Sequence, residues 1–199
     1  NPGGLLNQAV DLVDLFVDSG IIVSQKGREA SENAEYKASA GATLTKLPLV
    51  VLVNGGSASA SEIVSGSLQD HKRAVIVGEN TFGKGSVQVI LPIDDNEALR
   101  LTIARYYLPS GRTIQAVGVT PDVIVHPGKV PQSEDSAFNI KESELKAHLQ
   151  NELSKINVTA EANKTESKDE KTIITQKKVG EDIQLKTAID AIKVLKIKQ

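Results

Sequence analysis

Apolar residues recur along the chain in three rhythms. Leu5, Ala9, Leu12, Val13, Phe16 and Val17 follow helical spacing, which predicts an amphipathic helix ending near Ser19-Gly20. Ile63, Val64, Ser67 and Leu68 predict a second helix, and Ile183, Leu185, Ala188, Ile189, Ile192 and Leu195 a last one. Continuous apolar runs, Leu47 to Val53 and Ala74 to Val77, predict strands buried on both faces. A period of two, with Leu99, Leu101 and Ile103 against Arg100, Thr102 and Ala104, predicts a half-exposed strand. Shorter strands are expected at 21–23, 87–91 and 119–125. Residues 24–46 are polar and irregular, and read as a long loop. Strands alternating with helices argue for an α/β core.

The pattern changes after Pro131. Fourteen of the 15 glycines and all seven prolines fall in residues 1–131, and no aromatic follows Phe138. The expected organisation is a turn-rich core over 1–131, a helical extension over 132–156 centred on Glu142–Ile156, a polar linker over 157–178, and a C-terminal helix over 179–199. The chain begins with Asn1, not Met, as a processed chain or a fragment would.

Composition removes most chemistries. With no cysteine, disulfides, thiolate metal sites and cysteine nucleophiles are excluded. The 23 Lys+Arg against 25 Asp+Glu give a net charge of −2, not the basic surplus of a nucleic-acid binder. His71, His126 and His148 share no spacing and are read as structural or surface residues. No metal or cofactor is expected. Serine and lysine remain as nucleophile and base, and a Ser–Lys dyad is the arrangement this composition allows.

Two turns carry candidates. Gly55-Gly56-Ser57-Ala58-Ser59-Ala60-Ser61-Glu62 joins a strand to a helix, whose N-terminal N–H groups suit a developing oxyanion. Ser59-x-x-Glu62 also fits an ordinary capping box, and spacing does not choose among the three serines. Gly78 to Gly85 nearly matches a phosphate-binding loop. Gly85, however, occupies the position of the Mg²⁺-binding hydroxyl, and the following residues are strand-like rather than helical, so a nucleotide site is disfavoured. Lys84 lies between glycines; a lysine removed from water loses its proton more readily and can act as a base. If the chain is extended from residue 84, Gln88 shares its face and can hold the amine.

Taken together, five segments resemble the C-terminal processing peptidases, or tail-specific proteases: Asn1 to Leu6, Val51 to Ile63, Thr81 to Gln88, Arg105 to Gln115 and Gly118 to Asp122. The resemblance implies a ClpP/crotonase-like α/β core with a C-terminal helical extension, acting as a serine endopeptidase that processes or degrades proteins from their C-terminal region. By position it implies Ser59 as nucleophile, Lys84 as general base 25 residues later, and Gln88 as the residue orienting the lysine. Backbone N–H groups of Ala60 and Gly3, with Gly4 as the alternative to Gly3, would form the oxyanion hole. The implied partners are protein substrates with accessible C-terminal tails, a PDZ domain upstream in the parent chain, and further copies of the chain through the C-terminal helices. The implied location is the bacterial periplasm or cell envelope. The rival reading with the same fold is an inactive crotonase-like chain serving as a peptide-binding or oligomerisation scaffold.

Overall fold

A computed structural model describes residues 1–94, 96–131 and 174–197. The expected helix at Glu142–Ile156, most of the polar linker, and His148 lie outside these residues. The described elements run in the order α1 (Leu6–Asp14), β1 (Ile21–Gly27), a 3-10 turn (Ala30–Glu32), β2 (Ala34–Lys37), β3 (Val50–Val53), α2 (Ala60–Asp70), β4 (Val75–Gly78), β5 (Ser86–Pro92), β6 (Ala98–Tyr107), β7 (Val123–Ile124), α3 (Gln176–Glu181) and α4 (Ile183–Ile197).

The strands form two sheets. β2-β1-β6-β5 is antiparallel throughout, and β3-β4-β7 is parallel. The core lies between them and the first two helices. Val13 from α1, Val17 from the turn after it, Ile22 and Val23 from β1, Ile63 and Leu68 from α2, and Ile76 from β4 belong to one buried cluster. Val77 points to the other face of β4 and is also fully buried, so this strand is covered on both sides. Helix α4 packs across β3 and β4 and buries Ala188. Its start is pinned by Ile183 N–H to Gly128 O at 2.9 Å and by the Gln184 amide to Val125 O at 2.7 Å. The apolar stripe of the final helix thus docks on the core.

Three expectations change. Residues 24–46 are not all loop: β1 extends to Gly27, and β2 pairs with it as an antiparallel hairpin. β2 is the edge strand of its sheet and none of its residues is fully buried, and β1 buries Ile22, Val23 and Ser24 but turns polar from Ser24 onward, so the pairing leaves no apolar alternation in 24–37. The run 47–53 is extended only from Val50, and β3 is an edge strand with Leu52 exposed, rather than a strand buried on both faces. Of the span 119–125, only Val123–Ile124 is strand, because the loop before it is held by side chains. The Asp122 carboxylate accepts from Ile76 N–H at 2.8 Å and from the Gln69 amide at 2.8 Å.

The docking of α4 is tested by Ala188→Glu. A charge has no partner at this buried position. Amide exchange across α4 is expected to accelerate about 10-fold or more while β4 amides keep their protection. Unchanged exchange in α4 would show that the helix does not depend on this contact.

Candidate active site

Both candidate turns leave the carboxyl ends of neighbouring parallel strands. β3 and β4 pair in register from Val50↔Val75 to Val53↔Gly78. The serine turn begins at Asn54, after β3, and the lysine turn at Glu79, after β4. In open α/β sheets this end of the strands is where ligands gather. Phe82 N–H donates to Ser57 O at 2.9 Å and joins the two turns directly.

The structure distinguishes the three serines. Ser57 Oγ accepts from Asn54 N–H at 3.2 Å, and Ser61 Oγ donates to Asn1 O at 2.9 Å, so both hydroxyls hold local structure. Ser59 is half-buried and has φ 57° and ψ −118°. This conformation is strained for a residue with a Cβ and persists only where its surroundings enforce it. A serine on a sharp strand-to-helix turn is the geometry of a nucleophile elbow. The capping box with Glu62 is present, but its firm bond is the reciprocal one, Ser59 N–H to Glu62 Oε2 at 2.8 Å; the hydroxyl makes no well-formed cap bond.

Glu62 is the centre of the site's structure. Its side chain is fully buried. Oε2 also accepts from Lys84 N–H at 2.8 Å, and Oε1 accepts from Gly83 N–H at 2.7 Å and from the Thr81 hydroxyl. Four donors use the acceptor sites of an ionised carboxylate. Thr81 Oγ1 in turn accepts from Val119 N–H at 2.7 Å. The Ser59-x-x-Glu62 spacing predicts only a cap for Glu62; the second set of contacts, from a turn about twenty residues on, has no local signal. The same contacts bear on the phosphate-loop reading, since two N–H groups that would cradle a phosphate are held by a carboxylate.

The first residues form one wall of the serine turn. Asn1 O accepts from Ala58 N–H at 3.1 Å. Gly3 has φ +96°, and a Cβ there would lie 2.5 Å from Ala58 O and 2.9 Å from Ala60 N. Only glycine fits so close to the helix start. Ala60 N–H, at the first helical position, has no partner within its helix. Gly3 N–H donates to Asn1 Oδ1 at 2.9 Å. Beside these groups lies a cleft of about 310 Å³, lined by Leu5, Leu12, Val51, Leu52 and Val64 together with Gly3 and Ala60.

Lys84 and Gln88 are less closely placed. The Lys84 backbone is clamped to Glu62, but its side chain is exposed, and no hydrogen bond joins its amine to Ser59. β5 begins at Ser86, so residue 84 lies in the turn before the strand, and the expected common face of 84, 86 and 88 does not extend to the lysine. The exposed Gln88 amide donates instead to Thr102 Oγ1 at 3.3 Å. His71 Nε2 lies 2.8 Å from Ile21 O, and the exposed His126 pairs with Glu79 at 2.9 Å, which are structural and surface roles. Among the described residues no cluster of three or more His, Asp or Glu side chains is suited to a metal ion.

Residues 1–125 match the family model described as peptidase family S41. The chain is 50% identical over 149 residues to a carboxy-terminal-processing protease of Bartonella bacilliformis, covering 75% of this chain and 34% of the relative. It is 30% identical over 225 residues to the carboxy-terminal processing protease CtpA of Bacillus subtilis, covering 97% of this chain and 48% of the relative. Among solved structures it resembles a photosystem II D1 C-terminal processing protease, with 40% identity, a TM-score of 0.58, and coverage of 66% of this chain and 34% of that one. A putative S41 protease from Bacteroides fragilis shares the fold at 19% identity and a TM-score of 0.54, over 77% of this chain and 42% of that one. The chain therefore spans about a third to a half of the length of these relatives.

The Glu62 clamp has a direct consequence for stability. Glu62→Gln turns an amide donor toward groups that are themselves donors, and Glu62→Ala leaves them without an acceptor. Each is expected to lower unfolding free energy by about 3 kcal/mol, measured as a drop in the urea midpoint. A loss below about 1 kcal/mol would mean that the carboxylate does not hold both turns.

Proposed function

The chain belongs to peptidase family S41, and on that premise we propose that it carries the catalytic turns of a serine endopeptidase that cuts proteins in their C-terminal region with a Ser–Lys dyad. One observation supports this most: of the three closely spaced serines, only Ser59 has a strained, positive-φ backbone, and the carboxylate that holds its N–H also holds the backbone of Lys84. A capped helix needs neither the strain nor the second turn.

In the proposed mechanism the neutral Lys84 amine takes the Ser59 proton as Oγ attacks the scissile carbonyl. A polypeptide laid over the turn removes water from the amine, and desolvation favours the neutral form. The gap between amine and hydroxyl closes in that complex, as catalytic hydrogen bonds commonly tighten on substrate binding. Ala60 N–H and Gly3 N–H receive the oxyanion, the latter after releasing Asn1 Oδ1; Gly4 is the alternative donor. Each such donor contributes about 10²–10³ in rate. Protonated Lys84 then gives its proton to the leaving amine, and water hydrolyses the acyl-enzyme. Gln88 orients the lysine once it turns from Thr102. The apolar cleft beside Gly3 and Ala60 receives the side chain preceding the cut bond, which favours apolar residues there.

The substrates proposed are proteins with accessible C-terminal tails, delivered by a PDZ domain elsewhere in the complete protein, in the periplasm or envelope of a bacterium. Self-association through the C-terminal helices is proposed alongside the docking of α4. The exposure of Lys84 favours a second reading, an inactive peptide-binding scaffold.

Cleavage of a protein with an apolar C-terminal tail by the complete protein separates the two. Ser59→Ala and Lys84→Ala are each expected to reduce cleavage at least about 10³-fold, with unfolding midpoints close to the parent. Full activity in either variant would remove the dyad, and binding of the tail without any cleavage by the parent would favour the scaffold.

A further inference from the structure

The lysine turn is held from two sides, and the proposed mechanism uses only one of them. Glu62 takes Gly83 N–H and Lys84 N–H. The next N–H in the chain, that of Gly85, donates to Gln115 Oε1 at 3.0 Å. Three consecutive N–H groups around Lys84 are thus bound by side-chain oxygens, the first two from α2 and the third from the segment after β6.

That segment follows the turn along its length. Ala116 N–H donates to Gly83 O at 2.9 Å, and the Asn80 amide donates to Val117 O at 3.0 Å. The approach is close: a Cβ on Gly85 would lie 2.7 Å from Gln115 N. Ala116 has φ 63°, one of three positive values among the described non-glycine residues, with Ser59 another. A strained alanine beside a strained serine's partner turn requires a surrounding that over-determines it. Gln115 itself is half-buried, and its backbone N–H is tied to Thr113 Oγ1 at 3.2 Å, which restrains where the amide can point.

We infer that Gln115 is a positioning residue: its amide oxygen, through Gly85 N–H, fixes the direction in which Lys84 leaves the turn toward Ser59. It touches no substrate and acts through the lysine. The inference rests on the reading of Lys84 as the base. Losing the oxygen leaves Gly85 N–H without its acceptor, so that the peptide joining Lys84 to Gly85 can tilt, while Tyr106 N–H to Gly85 O at 2.8 Å and Glu62 to Lys84 N–H still hold the turn in place. Misplacement of a catalytic group by about 1 Å costs as much as about 10²-fold in rate.

The test uses the complete protein with Gln115→Ala, Gln115→Glu and Lys84→Ala. Gln115→Ala is expected to lower kcat about 10- to 100-fold with KM within about twofold, and to speed exchange of the Gly85 amide more than that of the β4 amides, with a drop in unfolding free energy of about 1–3 kcal/mol for the unpaired Gly85 N–H. Gln115→Glu restores an acceptor oxygen, so kcat at high pH is expected to recover to within about threefold of the parent. The added charge favours the protonated lysine, so its pH–rate midpoint is expected to move upward. If Lys84→Ala is inactive while Gln115→Ala keeps parental kcat, or if Gly85 stays protected in Gln115→Ala, the positioning role is overturned and the dyad stands. If Gln115→Glu is as slow as Gln115→Ala at every pH, the acceptor is not what matters and the inference also fails. If Lys84→Ala keeps full activity, the dyad falls and this inference with it.

Discussion

The structure is organised around one buried carboxylate. Glu62 lies in the first turn of α2 with no exposure to solvent, an expensive place for a charge, costing several kcal/mol without compensation. The compensation comes as four donors, three of them backbone N–H groups, and bonds to an ionised acceptor are stronger than neutral ones. Because these donors come from two separate turns, the same bonds that make the burial tolerable bind the serine turn to the lysine turn. Thr81 extends the arrangement by one step, passing it to Val119 and the loop that follows.

The rest of the core sets the frame in which that carboxylate works. β3 and β4 lie side by side and in parallel, so the chain leaves both at the same end of the sheet. α2 fills the space between that sheet and β1, with Ile63 and Leu68 buried on the same helix as Glu62. The loop after β6 returns to cover the lysine turn and is itself held by Arg112. Its guanidinium pairs with Asp70 at 2.9 Å and donates to Gln69 Oε1 at 2.6 Å, both at the end of α2. One helix therefore anchors the serine turn at its start and the loop behind the lysine turn at its finish.

How much of this could be read in advance depends on range. The helical periods of Leu5 to Val17 and of Ile183 to Leu195 are local and strong, and both helices form, although α1 ends at Asp14, ahead of the expected Ser19-Gly20, with Phe16 and Val17 packing from the turn that follows. The hairpin of β1 and β2 was missed because Ser24, Gln25, Lys26 and Glu35 offer no apolar alternation; its pairing comes from the sheet. The serine turn was legible as a turn, but Ser57, Ser59 and Ser61 are equivalent in spacing, and only the backbone angle of Ser59 and the commitments of its neighbours set it apart. Glu62 announces itself as a cap, since a capping box is a four-residue signal. Its bonds to Gly83 and Lys84, like that of Gln115 to Gly85, join side chains to backbone groups distant in the chain and leave no periodic trace. For Gln88 the shared face with Lys84 presupposes an extended chain from residue 84, whereas β5 begins at Ser86.

The pairing of β3 with β4 acts as a ruler. Strand register changes only in whole residues, each step moving one chain past the other by about 3.3 Å. A single step would carry the serine turn further along the sheet than a hydrogen bond can stretch, and would flip every side chain of β3 to the wrong face. The separation of the two turns is therefore a quantised property of the sheet. Small strains in the body of the protein are absorbed elsewhere, and the spacing between hydroxyl and amine backbones is either kept or lost outright.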